Sequence, residues 1–352
     1  AADKSRRIPF IRLLAEGNLV QLGYGARQRR IWTAETDRTP AIAESISREK
    51  DLTKSLLESC GVPVPEGRIV DGVEDAIEAA DDIGFPVVIK PSDGNHARGV
   101  FTNVRSADEI RELYPLTAAE GSEVIVERFI RGAEHRLLVV GGKMVAANKG
   151  DMVSVVGDGE HSIDELIETQ INSDPRRGVE HEFPLYLIKL DNYPAAQMEV
   201  ARQGFTGASV PAAGQEVMIV RTSNMAFDVT DEVHPDTAEL ACLAARIVGL
   251  DIAGVDLVCE DISQPLAGQQ GAIVEVNAGP GLHMHLVPAG GPPQPVGNII
   301  ARHLFPNGDR GRIPIVGITG SGGNTGIARI VTTPQEAASL NKGEILVTRS
   351  TD

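Results

Sequence analysis

Gly254-Val255-Asp256-Leu257-Val258 and, further along, Ile273-Val274-Glu275-Val276-Asn277-Ala278-Gly279-Pro280-Gly281 decide how this chain is read. The first is an apolar strand carrying one acid. The second carries Glu and then Asn two residues on. Side chains two apart on a strand face the same way. Glu275 and Asn277 therefore point together, with Asp256 on a neighbouring strand. Three hard oxygen ligands with room left for phosphate oxygens suit Mg²⁺ better than zinc or copper. Ala-Gly-Pro-Gly closes the second strand. The pattern points to a nucleotide triphosphate handled through magnesium.

Bulk properties set the frame for that reading. A chain of 352 residues exceeds one small core, so two or three domains or subdomains are expected. Hydrophobic residues at 42% and charged residues at 23% are ordinary for a soluble globular enzyme. The net charge of −16 argues against nucleic acid as a partner and means that an anionic substrate needs local basic residues. Cys60, Cys242 and Cys259 are far apart and form no CxxC pair, so neither a disulfide framework nor a zinc site is indicated. Cys60 and Cys242 fall in helix-like patterns and read as small core residues. No apolar run is long enough to span a membrane and no signal peptide is visible, which fits a reducing cytoplasm. The N-terminus AADKSRRIPFIRL and the C-terminus LVTRSTD both read as cut from something longer.

Outward from the opening pair, the chain reads as α/β (or α+β) with mixed sheets. Residues 18–32 alternate around a turn and suggest a hairpin. Residues 45–60 read as one helix capped by Ser45 or Ser47, with Leu52, Leu56 and Leu57 at helical spacing and Gly61 as its stop. Acidic helix 73–83 follows. Phe85-Pro86-Val87-Val88-Ile89-Lys90-Pro91 is a short strand, and Ser92 to Val100 is a glycine-containing turn before another strand. A helix at 106–114 leads to a strand at 123–130 and another at 136–140. Residues 151–210 are polar and interrupted, with a helix at 162–171. A strand at 215–221 and a helix at 236–249 complete the run back to the opening strands.

Further residues carry chemistry. Lys90 ends an apolar strand, where an ammonium aimed at phosphate acts as a point charge. The loop Gly94-Asn95-His96-Ala97-Arg98-Gly99 can aim backbone N–H groups at phosphate oxygens. Glu127 closes an apolar strand, and Phe129 and Ile130 lie on the hinge that follows it. An adenine pocket needs apolar walls and backbone groups at such a hinge. Glu134 is spaced to hold ribose hydroxyls. His283 and His285 alternate and could both face a site. With no partner cluster in view, substrate contact or plain surface suits them and His234 better than zinc.

The ordered set Lys50, Lys90-Pro91, the glycine loop, Glu127, Glu134, Asp256 and Glu275-x-Asn277 with Gly-Pro-Gly resembles the ATP-grasp fold. More narrowly, it is similar to the ATP-grasp domain of the cyanophycin synthetase family. VVIKPSDGNHARGV, VIVERFIRGAEHRLLVVGGKMVAA, VVGDGEHSIDELIETQINSDPRRG, GLDIAGVDLVCEDIS and AIVEVNAGPGLHMHL carry the likeness, which covers roughly residues 8–312. The resemblance implies two αβ lobes clasping ATP, with a short αβ tail. The implied division is an N-terminal hairpin or linker at 1–44, an ATP-grasp domain at 45–312 with a lid at about 85–140, and a partial domain at 313–352. It implies ATP and Mg²⁺ as cofactors and a carboxylate–amine ligase that adds aspartate to an acidic peptide or polymer through an acyl phosphate. Lys50, Lys90, Gly94 and Gly99 would bind the nucleotide's phosphates. Glu127, Phe129 and Ile130 would lie at the adenine hinge and Glu134 at the ribose. Asp256, Glu275 and Asn277 would hold Mg²⁺. Lys90, His96, Arg98 and Arg221 are the catalytic candidates. Such enzymes act in the cytoplasm without nucleic acid or membrane, and a homo-oligomer is a partner to expect because family members tend to assemble.

The chain also departs from that family. Arg221 to Phe227 leads almost directly into Asp228, where the family has a glycine-rich loop about half a dozen residues longer. Ala97 replaces a preferred Gly, which stiffens the phosphate loop, and His283 stands where the family tends to have Arg. Asn324 takes the Lys position of a phosphate loop, so Thr319 to Gly326 is not a working P-loop. Residues 317–352 instead resemble the start of the swivelling phosphohistidine domain of phosphoenolpyruvate-utilising enzymes. Two alternatives to the ligase follow: a phosphotransferase passing phosphate to a histidine beyond this chain, and a nucleotide-binding relic without turnover.

Overall fold

The computed structural model describes residues 6–313 except 16, 93–98, 122, 180–182 and 222–224, together with the backbone of two strands further on. The chain divides into two units, residues 33–299 and residues 1–32 with 300–352.

The larger unit is organised by two antiparallel sheets. In the five-stranded sheet the order is Phe227–Asp228, Lys143–Lys149, Ala133–Val140, Ile252–Cys259 and Ala272–Ala278. One face carries Leu137, Val139, Ala147, Val255, Leu257, Ile273 and Val276, all buried. Helix Pro235–Val248 covers that face with Ala241, Ala244, Ala245 and Val248. Alanines at helical spacing let the helix backbone approach the sheet closely. Pro235 suits the first helical turn, where its missing N–H would be unpaired, and His234 caps the start by accepting from the Asp236 N–H. Gly249, left-handed at φ 92°, ends the helix. Every second residue of these strands faces the other way, and that opposite face bears Glu134, Arg136, Asp256 and Glu275.

The four-stranded sheet runs Gly67–Val70, Val124–Arg128, Val87–Pro91 and Phe101–Val104. It follows the same plan. Val87, Ile89, Val124, Val126 and Phe101 bury one face against Ala76, Ala79, Ala80 and Ile83 of helix Val73–Ile83 and Ile110 and Leu113 of helix Ala107–Ala118. Residues 129–132 are the whole connection from this sheet to the five-stranded one.

Between Val153 and Val220 the polar, interrupted stretch builds a third layer. Strands Val153–Val156 and Glu216–Val220 pair antiparallel. Below them lie Ile163, Leu166, Ile167, Ile171, Ala196 and Val200 in one buried cluster. Ser162 and Glu165 form a reciprocal capping box at the start of the first helix here. That helix widens into a π turn over Ile167–Ile171.

The expected single helix at 45–60 is two helices, Ala41–Arg48 and Lys50–Ser59. The first begins at Ala41 after Pro40, so Ser45 and Ser47 lie inside it and make no cap, and Glu49 between the two helices is extended at φ −87°, ψ 90°. Cys60 is exposed and Cys242 half-buried; of the three thiols, Cys259 is the buried one.

In the smaller unit, strands Phe10–Arg12, Leu19–Leu22 and Arg29–Trp32 pair antiparallel in sequence order. Arg6 donates from Nη2 to the carbonyls of Phe305 at 2.7 Å and Asp309 at 2.6 Å. Strands Ile327–Val331 and Glu344–Thr348 pair parallel. The remnant phosphate loop at 319–326 lies outside the described residues.

Candidate active site

Strand register lines up one polar row across the open face of the five-stranded sheet. Asp228 pairs with Asn148, Asn148 with Arg136, Arg136 with Asp256, and Asp256 with Glu275. Residues paired directly across strands share a face. Glu134 lies two before Arg136 and Asn277 two after Glu275, so both look the same way. Gly254, paired with Asn277, leaves room for the closing turn: a Cβ there would stand 2.8 Å from Cβ of Pro280.

Arg136 dominates this row. Its Nε donates to Oδ1 of Asp256 at 2.6 Å and its Nη2 to Oδ2 at 2.5 Å, a two-bond fork. Asp256 is 1% exposed. Burial pushes its carboxyl up, against the pull of Arg136. Burial works against the Arg136 guanidinium too, but Asp256, Glu275 and Glu134 raise it overall. Asn277 donates its amide to Asp256 at 3.0 Å and to Glu275 at 3.4 Å. Glu134 is pushed up to about 7 by burial and by the charges of Asp256 and Glu275.

The second cluster sits on the four-stranded sheet. Glu127 is 3% exposed and lies between two ammonium groups, Lys90 at 2.6 Å and Lys54 at 3.1 Å. Burial alone would raise this carboxyl; Lys90 and Lys54 reverse that and hold it below the ordinary range. Gly67 pairs with Glu127 across the strands, and a Cβ on it would come 2.5 Å from Cβ of Glu127. Helix Lys50–Ser59 serves both sheets. Lys50 reaches Glu275 at 3.5 Å, and Lys54, one turn on, reaches Glu127.

The sequence-expected residues thus fall in separate places. Asp256, Glu275, Asn277, Glu134 and Lys50 meet on the open face of the larger sheet. Lys90 and Glu127 meet on the smaller one. Phe129 and Ile130 are half-buried on the connection between the sheets, where the Phe129 N–H is already bonded to the Pro86 carbonyl at 3.2 Å. Arg221 lies elsewhere, forked onto buried Glu199 at 2.8 and 2.6 Å. Gly99 is left-handed at φ 66°; Gly94, His96 and Arg98 lie outside the described residues.

Arg136 and Lys54 escaped the sequence reading. A charge immediately before the apolar run Leu137-Leu138-Val139-Val140 and two after Glu134, on the same strand face, was the available signal for Arg136. For Lys54 it was the four-residue spacing from Lys50.

The donor set suits a hard cation: two carboxylates in register and an amide oxygen that the Asn277 side chain can turn toward them. Arg136 covers both Asp256 oxygens, so an ion would share that carboxylate with the guanidinium.

Comparisons with known proteins bear on this arrangement. Residues 49–181 match the family model described as carbamoyl-phosphate synthase L chain, ATP binding domain. A cyanophycin synthetase from Trichormus variabilis is 42% identical over 334 residues, covering 93% of this chain and 37% of that protein. The chain is an ATP-grasp protein, homologous to the cyanophycin synthetases. The ATP-grasp architecture recurs in a crystal structure of a bifunctional glutathione synthetase from Pasteurella multocida, with TM-score 0.57 and 28% identity over 85% of this chain and 41% of that one. A glutathione biosynthesis bifunctional protein of Clostridium perfringens is 30% identical over 300 residues, 82% of this chain and 38% of that protein. This ATP-grasp chain therefore spans well under half the length of these relatives. No helix among its described residues is long and apolar enough to cross a membrane.

Proposed function

We propose that this chain is an ATP- and Mg²⁺-dependent carboxylate–amine ligase that adds aspartate to the C-terminal carboxylate of an aspartate-based peptide or polymer. The observation that carries the reading is the row Arg136, Asp256, Glu275 with Asn277, facing outward from one sheet. Its kinship with the cyanophycin synthetases supports the acceptor class.

The chemistry balances in two steps. A carboxylate oxygen of the acceptor attacks the γ-phosphorus of ATP, the bond to ADP breaks, and an acyl phosphate forms. The aspartate amine then attacks the acyl carbon, forms the C–N bond, loses a proton and expels phosphate. Both steps spread negative charge, so positioning and fixed cations matter more than a base. Lys50 and Lys90 would neutralise phosphate oxygens. Arg136 would face charge developing on the acyl group while Asp256 fixes its orientation. Asp256, Glu275 and Asn277 would hold Mg²⁺, which when bound supplies charge neutralisation at the phosphates.

The test is phosphate release from Mg-ATP against a panel of acidic peptides with and without aspartate. Release that needs both partners supports the ligase. Tight ATP binding with no release for any acceptor overturns it in favour of a nucleotide-binding relic. Glu275→Ala should abolish release, and unchanged release in that variant removes the metal assignment.

A further inference from the structure

The two units divide the charge of the chain unevenly. Residues 1–32 and 300–352 hold 13 of the 33 basic side chains and 6 of the 49 acidic ones, a net of +7, which leaves −23 on residues 33–299. A surface of one sign attracts a partner of the other.

Hydrogen bonds gather the arginines of the smaller unit. The Tyr24 N–H donates to the Gly311 carbonyl and the Gly23 N–H to the Pro9 carbonyl, both at 2.7 Å. Segments 6–9, 23–27 and 309–312 therefore lie side by side. Arg6 braces them through the carbonyls of Phe305 and Asp309. Arg312 donates from Nη2 to the Arg7 carbonyl at 3.2 Å. Arg27 donates from Nη1 to Oδ1 of Asp309 at 3.2 Å, with its side chain still 59% exposed. Asp309 is the one acid in these three segments, and its Oδ1 also accepts from the Gly311 N–H at 2.9 Å. Arg7, Arg310 and Arg312 are exposed, and the guanidinium groups of Arg7 and Arg310 meet no partner among the described residues.

Four exposed guanidinium groups thus stand against one committed carboxylate. All are arginine rather than lysine. A guanidinium keeps its charge at any working pH and offers a planar fork that matches a carboxylate. The patch can take several carboxylates at once.

We infer that Arg7, Arg27, Arg310 and Arg312 form a docking surface for an acidic peptide. The surface lies on the unit that does not carry the row of Arg136, Asp256 and Glu275. That the peptide is the acceptor chain rests on the ligase reading; the surface itself does not. A flexible run of carboxylates can follow three short segments. A duplex or an anionic bilayer presents its phosphates over a far wider face, which the −23 of residues 33–299 opposes. A second hold on the acceptor also raises the effective concentration of its reacting end, so a chain docked here stays with the protein between additions.

The test is fluorescence anisotropy of a labelled ten-residue aspartate peptide with an amidated C-terminus, titrated with the full chain in the absence of ATP. Arg7→Gln combined with Arg310→Gln removes two charges that have no partner to lose. It should weaken binding about tenfold, and added salt should weaken binding in the unsubstituted chain. The melting temperature, and its rise with Mg-ATP, should stay as they are. Undiminished affinity in the double variant overturns the surface. A ten-nucleotide single strand, or phosphatidylserine vesicles, binding at least as tightly as the peptide overturns the assignment to a carboxylate chain. Peptide binding that the double variant loses, with no phosphate release from any acceptor, leaves the surface standing and the ligase reading fallen. Release with a free-carboxylate peptide that the double variant binds equally well and uses at the same KM does the reverse.

Discussion

Arg136 and Asp256 form one buried pair on which both stability and the proposed chemistry depend. A forked ion pair at the sheet surface is held by geometry that neither partner can keep alone. Arg136→Met should cost about 3–5 kcal/mol in urea denaturation, because it strands Asp256 at 1% exposure without its cation. Arg136→Met combined with Asp256→Leu should recover much of that loss, since replacing both partners removes the unpaired charge. A single-variant loss below about 1 kcal/mol would place the pair among ordinary surface bridges. On the opposite, helix-covered face, His135 makes a different prediction. It is 1% exposed, contacts Sγ of Cys259 at 3.7 Å, and burial pulls it down to about 4. The unfolded chain takes up this proton near the ordinary value of 6.5, but the folded chain resists it until about 4. Its contribution to stability is therefore intact above 6.5 and is lost as pH falls through that window. Melting temperatures at pH 7 and 5 should converge in His135→Phe more than in the unsubstituted chain. An unchanged pH dependence would mean that the imidazole charges freely in the folded state.

Strands and helices explain why some of this was legible in the sequence and some was not. Asp256, Glu275 and Asn277 could be grouped because strand periodicity is local: two residues on means the same face. Glu134 follows the same rule. Arg136 belongs with them only because Ala133–Val140 lies beside Ile252–Cys259, a neighbour more than a hundred residues away that no local pattern announces. Lys54 needs the helix to lie across two sheets. The break at Glu49 was hidden because residues on both sides have helical composition and neither a glycine nor a proline marks it. Glycine positions were legible as turns but not as contacts. Gly254 sits mid-strand, where glycine weakens the ladder, and its reason is the approach of Pro280. Gly254→Ala should cost about 1–3 kcal/mol by overpacking. It should also weaken Mg-ATP binding, because the Gly-Pro-Gly turn that shifts is the one following Asn277. Thermal melts with and without Mg-ATP separate the two effects, and a variant that loses stability but keeps its full nucleotide-dependent gain would detach that turn from the site.

Charge is the property that belongs to the whole molecule. The chain carries −16, yet the proposed substrates are ATP and an acidic peptide. Attraction cannot come from the overall field, which repels anions. At the site it has to come from Lys50, Lys54, Lys90 and Arg136, and each of these is already matched to a carboxylate: Glu275, Glu127 or Asp256. The site is thus close to neutral before any ligand arrives, and free ATP would enter an acidic protein with little net pull. On the proposed reading, magnesium would change that balance by reducing the charge of the nucleotide, and Glu275 as its ligand would release Lys50 for phosphate. Mg-ATP at a hundredfold excess over its Kd should then raise stability by about 2.7 kcal/mol, whereas ATP with EDTA should give far less. Glu275→Gln should narrow the gap between the two conditions by removing the charge of a proposed metal ligand and of the partner of Lys50 together. Equal stabilisation with and without magnesium would show that the lysines alone hold the phosphates, and the carboxylates of the open sheet face would then need a different role.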